Sequence, residues 1–416
     1  MKPANEITRE DLEQLDHDDP LASFRTEFVL PPGVIYLDGN SLGAMPRAAG
    51  ELARRVVEKE WAEGLVTSWN KAGWFEMPVR LGGKIAGLIG AEADEVIVTD
   101  STGIDLYKAL AVALQHGPER RVIVMEGSNF PTDNYVAQGL VGQLGDGYEI
   151  RFAEADKLDS SIDADVAAVC LTHVHYKSGR ILDMAAITKT AHEYGAMTVW
   201  DLCHSAGAVP VDVNACRADF AVGCTYKYLN GGPGSPGFIF AAKRHLDKYR
   251  QPLTGWWGHA EPFAFERDYR PAPGIRQLLS GTQPILSLAV AEAVIDIMLR
   301  ADMRTVREKS IRMTDLLIGL VESRCAGLGL KLAGPRDTSS RGSQVSFHHD
   351  SGFPVMQALI SRGVIGDFRA PGNMRFGVTP LYLRYTDIWD AVEILRDVLE
   401  TGVWQEPEFS ARRSVT

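Results

Sequence analysis

The middle of the chain alternates short β-branched apolar runs with stretches whose apolar residues recur every three or four positions, and few folds accommodate that alternation. DEVIVT, from Asp94, leads through a polar turn into IDLYKALAVAL, and RRVIVMEG, DVAAVCLTHVH, MTVWDL and DFAVGCTY follow as further strand-like runs. Helical text such as MAAITKTAHEYG lies between several of them. Strands that are apolar almost throughout, rather than at every second position, are buried on both faces. The expected architecture is therefore α/β, a largely parallel sheet covered by helices on both sides.

From about Ile311 the pattern changes to a long helix (MTDLLIGLVESRCAG), a strand (QVSFHH), a helix (FPVMQALISRG), strands around VIGDFRA and MRFGVTP, and a last helix (DIWDAVEILRDVLE). These predict a smaller α+β domain. The start of the chain holds turn-rich text, LPPGVIYLDGNSLGAMP, and then a helical pattern at AAGELARRVVEKEW. The expected division is an N-terminal segment over residues 1–60 that packs on the small domain or a partner subunit, a large domain over 61–300, and a small C-terminal domain over 301–416.

Several function classes are disfavoured early. A formal net charge of -11 gives no electrostatic footprint for nucleic acid or an anionic membrane surface. The apolar stretch ILSLAVAEAVIDIML from Ile285 is too short for a membrane span and carries Glu292 and Asp296, so it reads as an amphipathic or core helix. The polar N-terminus has no apolar signal region, which points to the cytoplasm. Five cysteines, with no C-x-x-C pair, read as buried reduced thiols. His173, His175, Cys203 and His204 lack the spacing of a known metal site, and no G-x-S-x-G elbow marks a serine hydrolase.

In sheets of this kind ligands bind beyond the carboxyl ends of the strands. The polar residues that follow strand-like runs are Ser101 and Thr102, His173, Asp201, and Tyr226 with Lys227. Each has an ordinary reading: Lys227 a solvated lysine, Asp201 an N-cap for HSAG, Ser101 with Thr102 a helix cap, Tyr226 a core tyrosine, Arg375 a surface arginine. Two consecutive strands ending in Asp and Lys carry more weight than either alone, because both side chains can reach one crevice. Pyridoxal phosphate needs an amine for its aldehyde, a carboxylate for its pyridine nitrogen, a phosphate cradle and a ring clamp. Lys227, Asp201 and the helix start at Ser101, Thr102 and Gly103 are candidates for the first three. In an extended strand end Tyr226 and Lys227 point to opposite faces, so they are not expected to aim at one atom.

With these residues in place, the chain resembles the fold type I pyridoxal-phosphate enzymes, in the class V aminotransferase branch, and within that branch the kynureninase family. The segments carrying the resemblance are IYLDGNSLGAMP, NFPTDNY, WDLCHSAGAVPVDV, CTYKYLNGGPGSPGFIF, GWWGH, GTQPILSL and MRFGVTPLY. It implies a mainly parallel sheet of the seven-stranded type and a homodimer with shared active sites. It further implies that Phe130 stacks on the pyridine face beside Pro131 and Thr132, that Asp133 bonds the O3' region, that Asp201 pairs with the ring nitrogen, and that Thr172 and His204 support that side. Ser101, Thr102 and Tyr226 would hold the phosphate, joined by Trp256 and Thr282 of the neighbouring subunit. Arg375 would take the substrate carboxylate, and Asn40, Ser41, Gly281 and the run Trp69–Phe75 would line the substrate side.

The activity implied is hydrolysis of L-kynurenine to anthranilate and L-alanine in tryptophan catabolism. The small residues at Gly281 and Thr282 lean toward plain kynurenine over its 3-hydroxy form. Lys227 would be the base and Tyr226 a proton donor to the β-carbon. A class V aminotransferase or a cysteine desulfurase of the same fold is the alternative. A desulfurase needs a cysteine on a mobile loop, and Cys325 lies in a helical pattern instead.

Overall fold

A computed structural model describes residue 3 and residues 5–411. Its central sheet has seven strands: β1 Val96–Thr99, β2 Val122–Glu126, β3 Glu149–Ala153, β4 Val166–Thr172, β5 Met197–Asp201, β6 Phe220–Cys224 and β7 Gly237–Ala241. The spatial order is β1-β7-β6-β5-β4-β2-β3. Neighbours are parallel except β7, which runs antiparallel to both β1 and β6.

Every residue of β1, β2 and β4 to β7 is buried, as strands covered on both faces must be. Side chains then alternate between two apolar layers: Ile97, Ile123 and Ile239 enter one, and Val96, Val98, Val124 and Phe238 the other. Two strands departed from the expected text. β3, EIRFA, is an edge strand with one fully buried residue, so its sequence lacks the continuous apolar run. β7, GFIFA, is apolar, but its direction could not be read from its composition.

The main helices are α1 Arg9–His17, α2 Met77–Ile89, α3 Thr102–Ala113, α4 Pro131–Leu144, α5 Met184–Glu193, α6 Ile285–Arg300, α7 Met303–Arg324, α8 Gly352–Ser361 and α9 Tyr385–Thr401. The stretch from Ile285 is α6, with Leu288, Ala291, Val294 and Ile295 in the core while Glu292 pairs with Arg80 and Lys84 of α2. Among the described residues no helix is long and apolar enough to cross a membrane.

The later part of the chain builds a second, antiparallel sheet from β8 Lys331–Leu332, β9 Gln344–His348, β10 Asp367–Arg369 and β11 Asn373–Gly377, in the order β8-β9-β11-β10. The N-terminal segment packs here. Arg9 bonds Asp390 at 3.0 Å, Asp16 accepts the Tyr385 N–H at 2.6 Å at the start of α9, and Ile35–Tyr36 pairs in parallel with Val364–Ile365.

Helix α2 lies directly on the backbone of β1. A Cβ at Gly82 would stand 2.2 Å from the Val96 carbonyl oxygen and 2.7 Å from the Ile97 Cα. Neither neighbour can move without displacing the strand, so Gly82→Ala should lose roughly 1–3 kcal/mol of stability despite the better helix propensity of alanine. Chemical denaturation checks this. A variant at least as stable as the parent would mean that the helix and strand can separate without cost.

Candidate active site

The carboxyl ends of β4, β5 and β6 open into one cavity of about 270 Å³, and the residues around it fall into three groups. The first sits at the start of α3. Asp100, in the left-handed region at φ 43°, turns the chain out of β1, and Ser101 takes the N-cap position of α3. Its side chain makes no capping bond. The ordinary helix-cap reading therefore fails, and the first N–H groups of α3 have no partner within the helix. Ser101, Thr102 and Gly103 line the cavity, so its wall there is the positive end of a helix and suits a phosphate.

The second group is a buried carboxylate network. Asp201 ends β5, accepting the Cys203 N–H at 2.7 Å through Oδ1 and the Thr172 hydroxyl at 3.3 Å through Oδ2. Thr172 also reaches Asp133 at 3.3 Å, and Asn129 donates to Asp133 at 3.0 Å. Burial, and then the charge of Asp201, raises the Asp133 carboxyl well above the usual carboxylate range. Asn129 Oδ1 accepts the Phe130 N–H at 2.7 Å, which fixes the start of α4, where Pro131 is the first residue and Thr132 faces the cavity. The Phe130 ring is 39% exposed at the cavity wall, packed edge-on against Tyr176 with centroids 5.3 Å apart.

The third group is the Lys227 turn. β6 stops at Cys224, and the next residues form a tight turn closed by Asn230 N–H to the Lys227 carbonyl at 2.8 Å and Gly231 N–H to the Thr225 carbonyl at 2.7 Å. Gly43 donates to the Tyr226 carbonyl at 2.8 Å, and any side chain there would collide with Asn230. Lys227 Nζ donates to His204 Nε2 at 3.1 Å and lies 5.7 Å from the centre of the Phe130 ring. Burial, and then the neighbouring Lys227 charge, lowers His204 well below the usual imidazole value, which keeps it a neutral acceptor. Burial disfavours the Lys227 ammonium, but Cys224, Cys203, Tyr226 and Asp201 more than offset this and raise the amine.

The expectation that Tyr226 and Lys227 point to opposite faces is corrected here. Tyr226 and Lys227 both line the cavity, with Nζ 5.9 Å from the Tyr226 ring centre. The strand ends two residues earlier than Tyr226, so the alternation of a strand no longer applies. Burial pushes the Tyr226 hydroxyl up to about 12, so it is protonated at neutral pH.

Beyond Tyr176 lies a cluster on the second sheet. Arg375 is 1% exposed, which excludes the surface-arginine reading. It donates from Nε to Asp367 Oδ1 at 2.5 Å, from Nη2 to Asp367 Oδ2, and from Nη1 to the Tyr176 carbonyl at 2.5 Å. Ser41 donates to Asp367 at 2.8 Å, and Asn40 is fully buried, donating to Gln344 at 3.3 Å.

Other expected residues lie elsewhere. Gly281 and Thr282 are exposed, and neither they nor Trp256 line the Lys227 cavity of their own chain. The run Trp69–Phe75 also lies outside this cavity of its own chain. Trp69 and Phe75 each pack 5.4 Å from Trp257, in an aromatic cluster with Trp256 and Phe263 rather than in the cavity. His173 is a core residue bonded to Ser205 at 3.0 Å. Cys216 is only partly buried, unlike the other four cysteines. Sequence reasoning assigned no role to Asn129, Tyr176 or Asp367. Asn129 stands in a quoted motif, whereas Asp367 meets Arg375 only through the β10–β11 register, which no local pattern reports.

The fold is that of the fold type I pyridoxal-phosphate enzymes. Among solved structures it is similar to a cysteine desulfurase from Thermococcus onnurineus NA1, with a TM-score of 0.77, 20% identity, and 91% of this chain and 98% of that one covered. A C-DES variant with glycine covalently linked to its PLP cofactor gives a TM-score of 0.76 at 16% identity, covering 90% and 99%. The sequence narrows the class. The profile of the kynureninase C-terminal domain matches residues 306–395. A kynureninase of Burkholderia mallei strain ATCC 23344 is 56% identical over 415 residues, 98% of this chain and the whole of that protein. The chain belongs to the kynureninase family.

Borohydride reduction of the cofactor-loaded protein should fix the cofactor covalently to a single tryptic peptide containing Lys227. In Lys227→Ala that labelled peptide should disappear while phosphate-anchored binding of the cofactor persists. Labelling of a different lysine in the parent protein would remove Lys227 from its assigned place.

Proposed function

We propose that the chain hydrolyses L-kynurenine to anthranilate and L-alanine with bound pyridoxal phosphate, acting on 3-hydroxykynurenine less efficiently. The single observation that carries the site assignment is the convergence of Lys227, Asp201 and the uncapped start of α3 on one cavity. These residues fit the cofactor: a helix N-terminus for the phosphate, a buried carboxylate for the pyridine nitrogen, an amine for the aldehyde, and the Phe130 ring as a clamp. When bound, the cofactor supplies an electron sink for the charge that develops at the substrate's α-carbon.

The chain's own residues supply the rest. Lys227 Nζ is placed to accept the substrate's α-proton, with His204 Nε2 3.1 Å away to hold it in position. Water adds to the γ-carbonyl, the Cβ–Cγ bond breaks, and anthranilate leaves. Tyr226, with its hydroxyl protonated at neutral pH, delivers a proton to Cβ on the way to alanine. Arg375 holds the α-carboxylate, and Asn40, Ser41 and Gly281 belong to the substrate side.

The reading includes a cytoplasmic homodimer, in which the partner subunit supplies Trp256 and Thr282 to the phosphate. It also includes the division into residues 1–60, 61–300 and 301–416. Supporting the dimer are the exposed rings of Trp256, Phe263 and Phe265. The desulfurase alternative is disfavoured because Cys325 is buried at the end of α7, with its thiol pushed up to about 11 by burial.

Incubation of the cofactor-loaded protein with L-kynurenine alone should release fluorescent anthranilate and alanine in equal amounts. An absolute requirement for a keto acid would identify an aminotransferase instead.

A second expectation concerns pH. Burial, and then the charge of Asp367, push Asp38 up to about 7, against the opposing effects of Ser41, Arg375 and Arg369. Ionised above that pH, Asp38 adds a negative charge beside the carboxylate site; protonated below it, it does not. The Kd of L-alanine should therefore rise from pH 6 to pH 8 more steeply in the parent protein than in Asp38→Asn. Identical slopes in the two proteins would contradict this.

A further inference from the structure

A buried guanidinium must be paired, and the way Arg375 is paired decides which of its faces a ligand can use. Arginine meets a carboxylate with two parallel bonds from either of two faces, the Nε/Nη2 side or the Nη1/Nη2 end. Asp367 stands opposite Arg375 across the β10–β11 ladder. Its two oxygens take Nε and Nη2, which is the whole of the side face.

The end face has only uncharged occupants. Nη1 donates to the Tyr176 carbonyl at 2.5 Å, and Nη2 to the Ser41 hydroxyl at 3.2 Å. Ser41 gives its own proton to Asp367 at 2.8 Å, so toward Nη2 it offers only a lone pair that an incoming oxygen can replace. Tyr176 lines the Lys227 cavity and packs on Phe130. The end face is thus the one bonded to a residue of the cavity wall.

Pairing with Asp367 does not neutralise this site. Arg369 reaches the same carboxylate, Nη2 to Oδ2 at 3.0 Å, so two cations share one anion. A net positive charge is left for a second carboxylate, provided that Asp38 nearby carries a proton.

We propose that Asp367 is the positioning residue of the substrate-carboxylate site, holding the side face of Arg375 so that its Nη1/Nη2 end grips the α-carboxylate of the substrate. The proposal rests on the reading of Arg375 as the carboxylate-binding residue, and it adds a residue that never touches the substrate.

The test is a double-mutant cycle on the cofactor-loaded protein with L-kynurenine, joined to equilibrium titration with L-alanine. Asp367→Asn keeps one oxygen of the pair and loses the charge and the two-point grip. It should raise the KM for kynurenine and the Kd for alanine by about tenfold or more, the scale of a lost charge-assisted pair. At saturation kcat should fall far less, and the absorbance of the bound cofactor should be unchanged. In an Arg375→Ala background the same substitution should change KM by less than about twofold, because there is no fork left to orient.

If Arg375→Ala alone leaves KM within twofold, the carboxylate reading of Arg375 is wrong. If Arg375→Ala raises KM but Asp367→Asn does not, or if its effect persists in full without Arg375, the positioning role alone is overturned. Asp367→Glu serves where Asp367→Asn does not fold. It keeps the charge and moves the carboxylate by one methylene, so it too should raise KM with little change in kcat, and an unchanged KM would contradict the proposal.

Discussion

Everything at the site depends on β5 and β6 running side by side in the same direction. Their register sets Asp201 beside Val222, so the acidic residue reaches the sheet edge while β6 still has two residues to run. The Lys227 turn then folds back over that edge. A carboxylate that is 4% exposed and an amine in contact with His204 are thereby brought to the wall of one small cavity, although residues 202–219 separate the two strands in sequence. Parallel pairing requires a connection that crosses back over the sheet, and this forces the next strand's end to the same edge.

Holding charge at a buried edge is costly unless each polar atom finds a partner. Thr172 stands at the centre, its hydroxyl within bonding distance of three acceptors, Asn129 Oδ1 at 2.5 Å and Asp133 and Asp201 at 3.3 Å, with one proton to give among them. Asp133 and Asp201 stand close enough that the first is raised well above its usual range by burial and by the charge of the second. Two carboxylates are thereby held in unlike surroundings within one network, and those surroundings assign the roles that their identities do not. The neutral His204 beside Lys227 follows the same logic, because a second cation there would compete with the lysine.

The strand-end pair Asp201 and Lys227 was legible because both residues close apolar runs, and the cradle at Ser101 because a polar turn separates β1 from α3. The shared segments extended this to Phe130, Asp133 and His204. What stayed illegible depends on contacts between distant parts of the chain. The bend after Cys224 that brings Tyr226 and Lys227 to one side is fixed by Gly43 and Asn230, far apart in sequence. The pairing of Arg375 with Asp367 follows from the register of two strands in the second sheet, and the Trp69–Phe75 run turns to Trp257 through tertiary packing. Edge strand β3 carries no continuous apolar run because two of its five residues are exposed and two more only partly buried.

The central claim, that the ends of β5 and β6 together form the cofactor site, is tested most directly by a crystal structure of the protein with pyridoxal phosphate. The account predicts density continuous from Lys227 Nζ into the cofactor, the phosphate at the Ser101–Gly103 helix start, and the pyridine nitrogen within hydrogen-bond distance of Asp201. A cofactor joined to another lysine, or with its ring nitrogen turned away from Asp201, would contradict it.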